Sequence, residues 1–284
     1  MKIELLIEKI AGTVVAIMRF IKRRTFIRKR LKYQNKCNGI IAILANGPSL
    51  KKVLPLLQSS EEFKNIEFSV HNFFGFSEEF FKIKPRYYAL ADPMFIKKNH
   101  RYEEVSNLFD ILQNKVDWDM TLYIPFDINE FYNYSKITNN HISIVHVETN
   151  DVNSWDKVNL WLYSKGMACP FVGSVVQLNI FAAINEGYKE LRLYGVDHTM
   201  ICNLILNEDN QLCNKYEHFS DAQTPTIQPI IRHDGNVFTV SEFLFLNGKL
   251  FRAHEQLKKY AESHHAKIIN YTVNSMIDCY DRRR

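Results

Sequence analysis

The chain has 284 residues, 46% hydrophobic and 24% charged, which excludes a disordered or fibrous protein and fits one large domain or two small ones. Its five cysteines (Cys37, Cys169, Cys202, Cys213, Cys279) form no C-x-x-C pair and no regular spacing, which argues against a disulfide framework or a structural zinc site and fits a reducing compartment best. The net charge of +5 is unevenly placed: residues 1–35 carry ten Lys/Arg and two Glu, a net of +8, and the rest carries 26 against 29, a net of −3.

A nucleic-acid-binding body carries its positive charge on the fold itself. Here the body is mildly acidic, which argues against a nucleic-acid partner. In residues 3–20, IELLIEKIAGTVVAIMRF, the apolar positions Ile3, Leu6, Ile7, Ile10, Val14, Ile17 and Met18 fall near helical spacing. The run is too short and too charged to span a bilayer. A secretory signal puts its basic residues before the apolar run, whereas RFIKRRTFIRKRLK follows it. This order predicts a basic amphipathic helix on a membrane surface through residues 1–34. A helix packed on the body, or one used for homo-oligomerisation, is the plainer alternative. The domain division is 1–35 for this segment and 36–284 for the body.

In the body, Gly39 to Ala45 reads as a buried parallel strand and Leu50 to Gln58 as a helix. Ile66 to His71 is a second strand, Phe76 to Ile83 a short helix, and Arg86 to Ala91 a third strand. Phe95 to Asn114 is helical, and Met120 to Ile124 and Ile142 to Val147 are strands. Ser174 to Glu186 is a helix, Leu191 to Val196 a strand, Phe238 to Ser263 a long helix and Lys267 to Asn270 a last strand. Ser275 to Cys279 closes as a turn of helix. Alternating strands and helices predict an α/β fold: a Rossmann-like, mostly parallel sheet with helices on both faces, plus the N-terminal basic amphipathic helix.

Ligands of such sheets bind outside the carboxyl ends of the strands. The residues there are Asn46, Gly47 and Ser49 after the first strand, Asn72 after the second and Asp92 after the third. Gly173 and Ser174 open the central helix, and Asp197 and His198 close the strand after it. Gly47 allows close backbone approach to a ligand, and Ser49 and Ser174 suit helix caps whose free amides attract phosphate. A tight turn and a simple cap serve the same residues. The helix returning to the sheet predicts that Gly173-Ser174 and Asp197-His198 form two walls of one pocket. Asn270 to Ser275 falls near the same end.

Asn46-Gly47-Pro48-Ser49-Leu50, Asn72 and AAINEGYKELRLYGVD at residues 182–197 together resemble the bacterial lipooligosaccharide sialyltransferases. They are equally similar to the wider sialyltransferase-like and 6-hydroxymethylpterin diphosphokinase-like group of surface-polysaccharide loci. The resemblance spans residues 39–280, with strong motifs over about a third of them. It implies a metal-independent glycosyltransferase of lipopolysaccharide or capsule synthesis with no cofactor. Its donor would be a CMP-activated sialic or other ulosonic acid, its acceptor a lipid-linked saccharide or oligosaccharide, and its location the inner face of the cell membrane. By position, Asn46 and Gly47 would contact the donor phosphate and ribose and Asn72 the nucleotide. Asp92 stands where the sialyltransferases have asparagine, and Gly173-Ser174 inverts their Ser-Gly. A pterin pyrophosphokinase using ATP and Mg²⁺, and a non-catalytic scaffold of glycan assembly, are the alternatives.

Such a transfer needs a base for the acceptor hydroxyl and groups for the leaving phosphate. His218, in the aromatic loop NKYEHFSDA, and His198, at a strand end, are the candidate bases, with Tyr216 for the phosphate. His254 lies inside a helical pattern and reads as structural. Asp117-Trp118-Asp119 matches a D-x-D metal motif, but exposed turn acids serve as well there. No P-loop, H-E-x-x-H or G-x-S-x-G motif is present.

Overall fold

The computed structural model describes residues 2–23, 30–95, 101–125, 137–215, 227–232 and 235–283. The N-terminal helix α1 (Lys2–Arg23) precedes the sheet. Strands β1 (Ile40–Leu44), β2 (Glu67–His71), β3 (Tyr87–Ala89), β4 (Met120–Pro125) and β5 (Ile142–Val147) follow in order. Between them lie α2 (Glu78–Ile83) and α3 (Tyr102–Lys115). Helices α4 (Asp156–Ser164) and α5 (Val175–Glu186) lead to β6 (Glu190–Tyr194). After the small strands β7 (Leu204–Leu206), β8 (Leu212–Lys215) and β9 (Ile227–Pro229) come α6 (Val240–Ser263), β10 (Lys267–Asn270) and β11 (Asp281–Arg282).

The main sheet has the order β11-β10-β6-β1-β2-β3-β4-β5, and each of its pairings is parallel. The apolar run of β1 explains why it sits in the middle. Ile41 and Ile43 enter the core under α5 and α6, Ala42 and Leu44 enter the core under α3, and all four are fully buried. A strand buried on both faces reads as a continuous apolar run rather than an alternating one. Helix α5 follows the same logic, because every residue of VVQLNIFAAINE except Glu186 is buried. It stops at Gly187, whose φ of 102° only glycine adopts readily. Thr239 and Glu242 form a capping box that starts α6.

The expected α/β architecture and the order of its strands are present. Two expected elements differ. Leu50 to Gln58 is not an α-helix but short 3₁₀ turns, Pro48–Lys52 and Leu54–Leu56, since Pro55 removes an amide from the middle of the pattern. Ser275 to Cys279 is irregular, and the chain goes on to pair β11 with β10. Helix α4 and the antiparallel sheet β7-β8-β9 were not anticipated. Among the described residues, no helix is long and apolar enough to cross a membrane.

Candidate functional site

The strand order reverses at β1: the chain steps from β1 to β2 on one side, whereas β6 and then β10 lie on the other. Reversal opens a crevice at the carboxyl ends of β1 and β6. The loops leaving these strands stay tied together beyond the sheet. Ala45 N–H donates to the Tyr194 carbonyl at 2.8 Å and Gly47 N–H to the Gly195 carbonyl at 2.9 Å. Gly195 has φ +70°, and a side chain there would strike the Ala45 carbonyl. Gly47 has an ordinary φ of −68°. Its lack of a side chain serves packing, since a Cβ would collide with the Asp197 carboxylate and the Gly195 carbonyl. The close approach expected for a ligand is thus made by Asp197.

Asp197 is the centre of this crevice. It is only 8% exposed, and the Ser49 hydroxyl donates to its Oδ2 at 2.8 Å. Ser49 therefore anchors a carboxylate instead of capping a helix. Burial pushes the Asp197 carboxyl up, and the Ser49 hydrogen bond opposes the shift. A cavity of about 280 Å³ opens beside the pair, lined among others by Ser49, Lys52, Asp197, Tyr271 and Asn274. The Tyr271 ring has the guanidinium groups of Arg192 (5.7 Å) and Arg283 (5.5 Å) near it and packs on Tyr194 at 5.0 Å. The cavity thus presents a carboxylate, an ammonium and an aromatic face with cations near it.

His198 turns to the other side of the sheet, toward α6. It takes the left-handed conformation, φ 51°, which is uncommon for a residue with a side chain. Its Nε2 lies 3.1 Å from Nε2 of the fully buried His254, whose Nδ1 lies 2.9 Å from the Tyr280 hydroxyl. His71, at the end of β2, is a further buried histidine at this end of the sheet. The Asn179 amide nitrogen donates to the Val70 carbonyl at 3.3 Å and to His71 Nδ1 at 3.2 Å. His71 Nδ1 therefore carries no proton, and the ring is held as the Nε2–H tautomer. Burial, aided by the charge of His198, lowers His71 to about 3. Burial lowers His198 to about 4 and holds His254 well below the usual range. At neutral pH all three are uncharged, with both ring nitrogens of His254 and Nδ1 of His71 already engaged.

The remaining expected site residues separate into groups. Asn46 bridges toward β2, with Nδ2 3.5 Å from the His71 carbonyl. Asn72 has φ 48° and a buried Oδ1 without a protein partner. Asp92 accepts the Met94 amide at 3.1 Å and closes a local turn, so it is not part of the cavity wall. Gly173 and Ser174 do not share the cavity with Asp197, and their amides are occupied. Both donate to Gln177 Oε1, at 2.8 and 3.0 Å, and Gln177 Nε2 donates to the Leu250 carbonyl of α6. The expectation that these amides hold a phosphate is corrected: a side chain one turn on already fills that role. His218 and Tyr216 lie outside the described residues.

Asp117 and Asp119 sit at the amino end of β4, opposite the crevice. Asp117 pairs with Lys84 at 2.9 Å and Asp119 with His141 at 3.2 Å. Among the described residues, no group of three or more His, Cys, Asp or Glu side chains is placed to hold a metal ion. Sequence reasoning missed Lys52 and the chain His254–Tyr280. Lys52 follows a strand end by eight residues, and only the 3₁₀ turn brings it back. No protein-family model matches the chain, and no curated protein matches it.

Proposed function

We propose that this chain is a metal-independent glycosyltransferase of bacterial surface-glycan synthesis that takes a CMP-activated sialic-acid-like or other ulosonic acid sugar. The observation that carries the reading is the cavity at the sheet reversal, where Asp197, fixed by Ser49, faces Lys52 and Tyr271. A buried carboxylate suits the hydroxyls of a ribose, a lysine a single phosphate and a tyrosine face a base. The cavity's volume stands at the low end of small-molecule sites, which favours a nucleoside monophosphate over a larger nucleotide. Asp197 argues for placing the ribose, not the phosphate, nearest Gly47, because a carboxylate repels phosphate.

In the proposed transfer, the acceptor hydroxyl oxygen bonds to the anomeric carbon as the bond from that carbon to the donor phosphate breaks. The electron pair leaves with CMP, where Lys52 offsets the charge. The hydroxyl proton passes to His218, the candidate base of the aromatic loop, because His198 turns away from the cavity toward α6. Helix α1 and its basic continuation hold the enzyme on the inner face of the membrane, near a lipid-linked acceptor.

Thermal-shift measurements with CMP, UDP, GDP and ATP, with and without Mg²⁺, test the reading. Stabilisation by CMP without Mg²⁺ is expected. A shift only with ATP and Mg²⁺ would replace it with the pyrophosphokinase, and no shift with any nucleotide would favour a scaffold.

A further inference from the structure

Helix α1 has two unlike faces. Gly12, Thr13, Ala16 and Arg19 hold it to the body. A Cβ on Gly12 would come within 2.6 Å of the Asn153 carbonyl, so the glycine lets the helix lie directly on backbone. Thr13 Oγ1 meets Ser154 Oγ at 2.6 Å, Arg19 donates to Asn150 at 3.0 Å, and Ala16 is buried. The other face, at spacings of three and four, bears Ile3, Ile7, Ile10, Val14, Met18 and Ile21, with Leu6 alongside. All are exposed, Ile3 by 72% and Met18 by 63%. A surface helix ordinarily turns its apolar stripe to the core. This one turns most of its stripe outward and docks through small and polar groups and Ile17.

The charge around it selects the occupant. Residues 1–35 carry a net +8, so a second copy would bring +8 against +8, whereas an anionic bilayer attracts them at about 1 kcal/mol per basic residue near the surface. The docking site fixes an orientation as well. Residues 150–154 directly follow β5, so α1 rests at the carboxyl end of the sheet, the end that holds the cavity. Exposed Trp155 is next in the chain, with Lys9 5.9 Å from its ring, and tryptophan favours the membrane–water interface.

Resting on the membrane-associated reading above, we propose that α1 lies in the headgroup layer of an anionic bilayer as part of the rigid body. In that position it turns the carboxyl ends of the strands, and the mouth of the cavity, toward the lipid. The substrate class this geometry serves is an acceptor whose reactive group stands just above the membrane surface.

The three tryptophans allow a direct test. Trp118 lies at the amino end of β4, donating to the Pro85 carbonyl at 2.9 Å. It is separated from the carboxyl ends by the six residues of β4, a span of about 20 Å. Full-length W118F/W161F keeps only Trp155, and W155F/W161F keeps only Trp118. Each is mixed with vesicles of phosphatidylglycerol and brominated phosphatidylcholine, and binding is followed by co-sedimentation. The expected result is loss of most of the Trp155 fluorescence with Trp118 unchanged, and release of both proteins by salt. Co-sedimentation with equal quenching of the two, or with none, overturns the orientation and leaves membrane association standing. Failure to co-sediment overturns both.

Discussion

The two ends of the main sheet handle polar groups differently. At the amino end, charges are mostly exposed and paired, Glu67 with Arg86, Asp117 with Lys84, and Lys267 with the less exposed Glu190, although burial also raises the Tyr87 and Tyr188 hydroxyls there. At the carboxyl end, ionisable groups are buried and held uncharged or out of their usual range. There the three histidines are neutral, Asp197 is pushed up, and Asn72 leaves an oxygen unpaired. Surface ion pairs contribute little and tolerate change, whereas perturbed groups gathered beside a cavity mark functional sites. The cavity beside Asp197, together with these shifts, is what favours the carboxyl end for the proposed site.

Acid should break the carboxyl end first. A histidine lowered in the folded state contributes stability above its unfolded value, about 6.5, and loses it as pH falls toward the folded value. For His198 and His71 that window runs from there down to about 4 and about 3. Each such histidine then removes about 1.4 kcal/mol per pH unit. Asp197, a single group raised by burial, has the opposite sign. The net expectation is a steep fall in unfolding free energy below about pH 6.5, measured by urea titration. His198→Gln should make that slope shallower by one histidine, and an unchanged slope would contradict a lowered His198.

A smaller effect is expected from Gly47→Ala. The added methyl has no space beside Asp197 and Gly195, so a loss of about 1–3 kcal/mol is expected from overpacking. Urea unfolding measures it, and full stability would mean that the two loops are less tightly joined than described. The smallest effect belongs to the amino end. Asp119→Asn loosens an exposed pair with His141 and should change stability by less than about 0.5 kcal/mol.

Much of this contrast was legible in the sequence. The continuous apolar run IIAIL marked a buried parallel strand, and the strand-end rule picked out Ser49 and Asp197, which the structure brings to one cavity. The partners of these residues were not legible, because they come from distant segments. Ser49 meets Asp197 across 148 residues and His198 meets His254 across 56. Gln177, inside an apolar helix pattern, gave no sign that it would take the amides of Gly173 and Ser174. The three-residue strands β7 and β9 are too short for any periodicity to show. Glycine was recognised at position 47, but its reason was misread: pattern alone does not say whether the close neighbour is a ligand or another part of the chain.

Calorimetric titration of CMP into the wild-type chain and Asp197→Asn tests the central claim most directly. The substitution keeps the size of the side chain and removes the charge that burial disfavours, so the fold should be no less stable at neutral pH. Saturable one-to-one binding to the wild type is expected, weakened at least about tenfold in the variant, which corresponds to about 1.4 kcal/mol. Equal affinity of the two proteins for CMP, or no binding to the wild type, would contradict a nucleotide site at the crevice between β1 and β6.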